Sequence, residues 1–298
     1  MQNILFRADA SSTIGIGHVM RDLVLAKQFK QCKVIFATQD LPGNINQKIK
    51  EEGFSVETLK SNNLEELIAL VKKYSIDMIV IDHYDLNYDY EKQLKEETKA
   101  ILYVIDDTYE KHYCDILLNH NLYADEKRYH GLVPEHCQLK CGSAFTLLRD
   151  EFKNISKDKK RHHKKHIFLA MGGADHSGVN LKILNVLQKF PDLHTNVVTT
   201  SANQYLKSLK AYISTKKNIT LHIDTDSIAE LIIDTDLAIV SPSVILNEIF
   251  HLKRPFIAIK TATNQIEMYN YLLKNSYPAL AKFNANELNN TIKGLLYG

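Results

Sequence analysis

The chain has no tryptophan and only four cysteines among its 298 residues. Cys32, Cys114, Cys137 and Cys141 form no close paired framework, and their spacing fits no zinc pattern. Reduced thiols in an intracellular, cytoplasmic setting are the expectation, with a metal site assembled only in three dimensions left open. No apolar run is long enough to span a membrane, and the first strand is expected to begin without a secretory segment before it. An excess of one charge is lacking too. Lys plus Arg number 37 against 35 Asp plus Glu, a formal charge of +2, so neither nucleic-acid binding nor an obligatory membrane partner is expected. A Gly-x-Gly-x-x-Gly dinucleotide turn and a P-loop are absent, which argues against a Rossmann dehydrogenase and a P-loop ATPase.

What is present is a βα rhythm that runs twice. In the first half, strands are expected at 4–6, 34–37, 78–81, 101–105 and 116–118, with a further short one near Val56. Helices are expected at 19–29, 45–52, 64–74 and 90–98. A basic, polar run at 157–165 interrupts the pattern and reads as a solvated connection. The rhythm then resumes, with strands at 166–170, 197–200, 220–223, 237–240 and 256–259. Helices are expected at 179–190, 204–214, 227–233, 244–251 and 265–275. Strands alternating with helices predict mostly parallel sheets covered on both faces. The division expected is an N-terminal domain at 1–150, a basic linker at 151–165 and a C-terminal domain at 166–298. A terminal helix returning toward the N-terminal domain is a further expectation. With 45% hydrophobic residues the chain can fill two cores of ordinary size, and a ligand cleft between the domains follows as an expectation.

Chemistry-bearing residues gather where strands end. His18 follows a turn containing Gly15 and Gly17 and opens a helix. Unpaired amides and the positive dipole end there disfavour an added cation and suit base chemistry or an anionic ligand. A polar cap in a surface loop is the bland alternative. Asp9, Asp82 with His83 and Tyr84, Asp106 with Asp107, and Asn119 with His120 and Asn121 each follow an apolar strand. In a parallel sheet all of these meet one edge. Asp9, Asp82 and Asp107 are candidate partners for His18. The neighbouring Asp106 and Asp107 suggest a carboxylate pair less strongly, because adjacent side chains diverge. His83 and Tyr84 suit sugar hydroxyls or amides, or simple polar satisfaction beside a strand end.

In the second half, Gly172 and Gly173 allow backbone amides to approach a phosphate, as do Ser241 and Ser243 before the next helix. Both segments also read as plain turns. Glu248, beside Asn247, can accept two hydrogen bonds from a ribose, or is an exposed helix residue. Asn264 and Gln265 precede a helix and suit a sugar or distal phosphate, or mark only a helix start.

Several of these stretches join into one pattern. The opening Phe6-Arg-Ala-Asp-Ala-Ser-Ser-Thr-Ile-Gly-Ile-Gly-His-Val-Met-Arg-Asp22 closely resembles that of the UDP-sugar hydrolase family of pseudaminic acid biosynthesis. Ile81-Asp-His-Tyr84, Cys114-Asp-Ile-Leu-Leu-Asn119, Gly131-Leu-Val-Pro134 and Cys141-Gly142 fit the same family. Met171-Gly-Gly173 and Ser241-Pro-Ser-Val-Ile-Leu-Asn-Glu248 extend the match into the second half. The chain is also similar, more distantly, to the nucleotide-sugar transferase that builds peptidoglycan lipid intermediates.

The resemblance implies an α/β fold of GT-B type, two Rossmann-type domains with an interdomain cleft, and UDP held largely by the C-terminal domain. It implies hydrolysis of UDP-2,4-diacetamido-2,4,6-trideoxy-β-L-altropyranose by water attack at the anomeric carbon, with C–O cleavage, inversion, no cofactor and no metal. His18 corresponds to the proposed catalytic histidine, and Gly17, Arg21, His83, Tyr84 and Asn119 are implied substrate contacts. On the nucleotide side the implied contacts are Gly172, Gly173, Ile223, Ser241, Ser243, Asn247, Glu248, Asn264 and Gln265, with uracil meeting the backbone at Ile223 and ribose meeting Glu248. Two departures stand out: Ala174 offers no hydroxyl after the Gly-Gly pair, and Pro242 precedes Ser243. The partners expected are a UDP-sugar and UDP, bound by a monomer. A UDP-sugar glycosyltransferase and a noncatalytic UDP-sugar sensor are the alternatives.

Overall fold

The computed structural model of the protein describes residues 1–153, 155–156 and 162–298. Two compact units make up the chain, Met1–Leu147 and Leu148–Gly298. The N-terminal unit has seven strands: β1 (Asn3–Ala8), β2 (Lys33–Gln39), β3 (Ser55–Leu59), β4 (Met78–Asp82), β5 (Ile101–Ile105), β6 (Ile116–Asn119) and β7 (Gln138–Cys141). They form a parallel sheet in the order β3-β2-β1-β4-β5-β6-β7. Its helices are α1 (Gly17–Ala26), α2 (Asn46–Glu51), α3 (Leu64–Tyr74) and α4 (Tyr88–Thr98).

Why β1 lies at the centre is visible in its residues. Ile4, Phe6 and Ala8 enter one apolar layer with Val19, Leu23 and Ala26 of α1. Leu5 enters the opposite layer with Leu67 and Val71 of α3 and Leu94 of α4. Successive side chains of a strand point to opposite faces, so an unbroken apolar run suits only a strand covered on both sides.

The C-terminal unit begins with α5 (Asp150–Lys153). Most of the basic run at 157–165 lies outside the described residues. Six strands follow: β8 (Lys165–Ala170), β9 (Leu193–Thr199), β10 (Ile219–Ile223), β11 (Leu237–Val240), β12 (Phe256–Ile259) and β13 (Ala279–Leu280). They too are parallel, in the order β10-β9-β8-β11-β12-β13. The helices are α6 (Asn180–Leu187), α7 (Leu206–Ile213), α8 (Ile228–Ile233), α9 (Val244–His251), α10 (Ile266–Lys274) and α11 (Ala285–Tyr297). The terminal helix is α11, and it belongs to this unit's own core. Leu288 and Ile292 pack with Ile167, Leu169, Ile183 and Leu187, and the Tyr297 ring stacks on Phe190 at 5.9 Å.

Three differences from the sequence expectation have local causes. Helix α1 starts at Gly17 rather than at 19, because Ser11 and Gly15 close a tight turn through paired backbone bonds of 3.3 and 2.8 Å. Gly15 turns there at φ +86°, a conformation glycine adopts without strain. Strand β7 escaped notice because Gln138-Leu-Lys-Cys141 is a mixed, half-exposed edge. The thiols of Cys114 and Cys137 approach to 3.6 Å, a proximity their spacing in sequence concealed. Among the described residues, no helix is long and apolar enough to cross a membrane.

Leu288 is wholly buried. Leu288→Ala should destabilise the protein by about 2–5 kcal/mol through lost transfer energy and the cavity it leaves. Urea unfolding would measure this, and a change below about 1 kcal/mol would show that α11 contributes little to the core.

Candidate active site

In each unit the strand order reverses direction at the centre, and at that point two neighbouring connections leave on opposite faces of the sheet. In the N-terminal unit this lies between β1 and β4, where Ala8 pairs with Asp82. Helix α1 follows β1 and carries His18 and Arg21, three residues apart and so on one face. Both reach Asp82, the last residue of β4.

Asp82 is the hub. His18 Nδ1 lies 2.6 Å from its Oδ1. Arg21 grips both oxygens, Nε donating to Oδ2 and Nη2 to Oδ1, each at 2.6 Å. The remaining Arg21 nitrogen donates to Asp107 Oδ2 at 2.7 Å, and Tyr84 donates its hydroxyl to Asp107 Oδ1 at 2.9 Å. The Tyr84 ring stands edge-on to His18, with centroids 4.7 Å apart. Burial works against charge on Asp82, yet Arg21 and His18 hold its carboxyl well below the usual carboxylate range. An ionised Asp82 accepts the Nδ1 proton of His18 and leaves Nε2 as the proton acceptor of the neutral ring. His18 and Arg21 are buried, whereas Tyr84 is 46% exposed and open to a ligand. Asp22, also on α1, is fully buried, and neither of its oxygens makes a hydrogen bond among the described residues. Burial and the Asp82 charge raise its pKa well above the ordinary value, against Arg21.

The three carboxylates proposed as partners for His18 therefore separate. Asp82 touches it, Asp107 connects through Arg21, and Asp9 belongs to another network. Asp9 accepts from Arg7 at 2.7 Å, from the Gln39 amide at 2.7 Å and from His83 Nε2 at 3.1 Å. Arg7, fully buried on β1, also donates to Asn62 and to the Ala37 carbonyl. Burial would raise the Asp9 pKa, but His83 and Arg7 hold it well below the carboxylate range. His83 uses its second nitrogen to accept from the Asp85 amide at 3.1 Å, so its ring is committed within the fold. Arg21 and Asn119 are internal as well. Asn119 is fully buried, donates to the Tyr129 hydroxyl at 2.9 Å and accepts from Asn121. His83, Arg21 and Asn119, expected as substrate contacts, each hydrogen-bond to other side chains of the unit.

Asp106 and Asp107 do diverge. Asp106 accepts from Thr108, from the Tyr109 amide and from the Tyr129 hydroxyl at 2.6 Å. His112 lies beside it, Nε2 to Oδ1 at 3.7 Å, and its Nδ1 is 2.8 Å from buried Glu91. Against burial, His112 and the Tyr129 hydroxyl bring Asp106 down to about 2. Burial would lower His112, but Asp106 and Glu91 push it up to about 10. His120 is the opposite case: burial, helped by the Arg21 charge, lowers it to about 3.

The C-terminal unit reverses between β8 and β11, where the Ser241 amide donates to the Ala170 carbonyl at 3.2 Å. Gly172 sits at φ +85°. A Cβ on Gly173 would lie 2.8 Å from Thr200 Cγ2, so only glycine fits without a shift. Opposite this turn stand Ser241 and Ser243, hydroxyls 3.2 Å apart, at the start of α9. Ser243 occupies the cap position, but its side chain makes no capping bond; it faces Ser241 instead. Asn247 and Glu248 are buried, so the exposed-helix alternative for Glu248 is excluded. Ile223 ends β10 on the same sheet edge and is partly buried. Gln265 Oε1 accepts from the Thr261 and Ala262 amides at 2.8 and 3.2 Å, while Asn264 is exposed. Gln265 therefore braces a turn.

One residue of this site was absent from the sequence reading. Arg149 donates Nε to Glu248 Oε1 at 2.7 Å and Nη2 to Oε2 at 2.8 Å. The partners lie 99 residues apart, and a single arginine in Leu148-Arg-Asp-Glu151 carries no periodic signal. Arg7 had one: a cation inside an apolar strand, two residues before Asp9 on the same strand face. Among the described residues, no group of three or more His, Cys, Asp or Glu is placed to hold a metal ion.

No protein-family model matches the chain. It is 39% identical over 280 residues to the UDP-2,4-diacetamido-2,4,6-trideoxy-β-L-altropyranose hydrolase of Campylobacter jejuni, covering 94% of this chain and 99% of that protein. Among solved structures it is similar to Anabaena Alr3699/HepE in complex with UDP and glucose, with TM-score 0.67, 10% identity, and 100% and 90% of the two chains covered. MurG of Acinetobacter baumannii gives TM-score 0.65 at 12% identity, with 99% and 91% covered. These structural likenesses show a GT-B-like fold of two Rossmann-type units.

His112 and His120, shifted in opposite directions, give a test. His112 gains its partners on folding, so its contribution to stability is full below the unfolded pKa of about 6.5 and is lost as pH rises through about 10. His120 must be neutral in the fold, so stability falls as pH drops below about 6.5 toward about 3. A histidine-selective NMR titration should find His112 still protonated at about pH 9 and His120 still neutral at about pH 5. Ordinary titration of either ring near pH 6.5 would contradict its network.

Proposed function

The chain belongs to the family of the UDP-2,4-diacetamido-2,4,6-trideoxy-β-L-altropyranose hydrolase, nucleotide-sugar hydrolases, and from this we propose that it cleaves that same sugar from UDP by water attack at the anomeric carbon. The observation that carries the reading is the 2.6 Å contact of His18 with Asp82. A histidine whose Nδ1 proton is held by a buried carboxylate presents Nε2 as a base, the arrangement that activates water.

In the proposed reaction, the water oxygen bonds to the anomeric carbon while its proton passes to His18 Nε2. The C–O bond to the β-phosphate breaks, and its electron pair leaves with UDP. Attack opposite the leaving group inverts the anomeric centre. Asp82 stabilises the imidazolium that forms, and Arg21 and Asp107 keep that carboxylate in place. Tyr84, exposed beside His18, contacts the sugar.

The C-terminal unit is proposed to hold UDP. The turn at Gly172 and Gly173 and the Ser241–Ser243 turn at the start of α9 meet the diphosphate, where amides and the helix dipole take up the leaving charge. Ser241 and Ser243 supply hydroxyls to a site where Ala174 has none. Glu248 accepts from the ribose, Ile223 offers backbone groups to uracil, and Asn247 and Asn264 complete the contacts. No metal or cofactor is required in this scheme, and the protein works as a monomer. The free sugar released is destined for pseudaminic acid.

The glycosyltransferase-like fold gives the rival reading, in which an acceptor replaces water. Incubation of the UDP-sugar with enzyme, EDTA and oxygen-18 water, without acceptor, separates the two. Turnover with the label on the sugar is expected. Label on UDP would place cleavage at the P–O bond, and dependence on an added acceptor would make the protein a transferase. His18→Ala should lower kcat by roughly 10²–10⁴-fold while UDP binding stays near wild type; retained turnover would remove His18 from the chemistry.

A further inference from the structure

We infer that Arg149 is a positioning residue for nucleoside recognition, holding the Glu248 carboxylate aimed so that it can receive a vicinal diol. The inference rests on the reading of the C-terminal unit as the UDP site and adds to it a residue that neither touches the reacting atoms nor belongs to the phosphate turns.

Glu248 is 2% exposed. A carboxylate so buried is driven toward its neutral form unless a cation compensates. Burial does raise the Glu248 pKa, and Arg149 is the group that opposes the rise. The contact is a planar two-bond fork, each oxygen taking one N–H at 2.7 or 2.8 Å. Each carboxylate oxygen has a further lone pair, so the fork leaves two acceptor sites in defined directions. Two neighbouring hydroxyls match that need, whereas a phosphate would be repelled by the same anion.

Arg149 is itself held from three sides. Its third nitrogen, Nη1, pairs with Glu151 Oε1 at 2.8 Å. The other Glu151 oxygen accepts from the Ala229 amide at 3.0 Å, in the first turn of α8. The guanidinium lies 4.9 Å from the centre of the buried Phe152 ring. A lysine would supply the charge but not the fork.

Calorimetric binding of UDP and 2′,3′-dideoxy-UDP to the whole protein tests this, with Arg149→Met and Arg149→Lys checked for folding by circular dichroism. Wild type should prefer UDP by roughly tenfold or more, since charge-assisted hydrogen bonds to the diol are lost in the analogue. Arg149→Met should lose most of that preference, weakening UDP roughly tenfold or more while dideoxy-UDP changes by less than about threefold. Arg149→Lys, retaining the charge, should fall between and gives the answer if the methionine variant does not fold. Equal weakening of both nucleotides, or unchanged preference in a folded variant, would overturn the inference and leave Arg149 a structural brace. Failure of wild type to bind UDP would overturn the nucleotide reading itself; binding without preference would remove Glu248 from ribose recognition and this role of Arg149 with it.

Discussion

The grip of Arg21 on Asp82 is the interaction on which the N-terminal site depends. An aspartate at the end of a central strand is buried on both sides by the helices that cover the sheet, and its charge survives only if a cation is built in beside it. Arg21 is that cation, and its position one helical turn after His18 makes the solution do two jobs. The same carboxylate that Arg21 keeps ionised fixes the tautomer of His18. Asp107 then accepts a hydrogen bond from the remaining nitrogen of Arg21 and carries the network outward to Tyr84. His18, Asp82 and the exposed Tyr84 are thus parts of one electrostatic unit.

The C-terminal unit repeats the geometry with different chemistry. At its strand-order reversal it has small residues and hydroxyls rather than a titratable cluster. Its own buried carboxyl group, Glu248, again sits beside an arginine, recruited from the first residues of the unit rather than from the same helix. In both units a Rossmann-type sheet places an acidic residue in a dry environment, and a guanidinium fork grips it.

Much of this was legible in the residues because parallel topology does the placing. Apolar strands followed at once by Asp9, Asp82, Asp107 and Asn119 must bring those residues to one edge, and they do. Which carboxylate serves His18 was not legible, since Asp9, Asp82 and Asp107 occupy equivalent positions and differ only in distances of a few ångströms. Nor was the inward turn of His83 and Asn119, which depends on partners far along the chain, the Asp9 carboxylate and the Tyr129 hydroxyl. Periodicity reports which face of an element is apolar; it carries no information about a bond between Arg149 and a glutamate on α9.

The close approach of Thr200 to Gly173 has an evolutionary meaning. A methyl group at 173 would collide with the threonine methyl, and the threonine hydroxyl is only 3.0 Å from the same point. The two positions are therefore not independent letters of the sequence. A lineage that trades the glycine for a larger residue must first shrink position 200, and one that keeps threonine has closed that route. Such a pair acts as a ratchet: whichever residue arrived second locked the other in place, and descendants should inherit the two together or change them together.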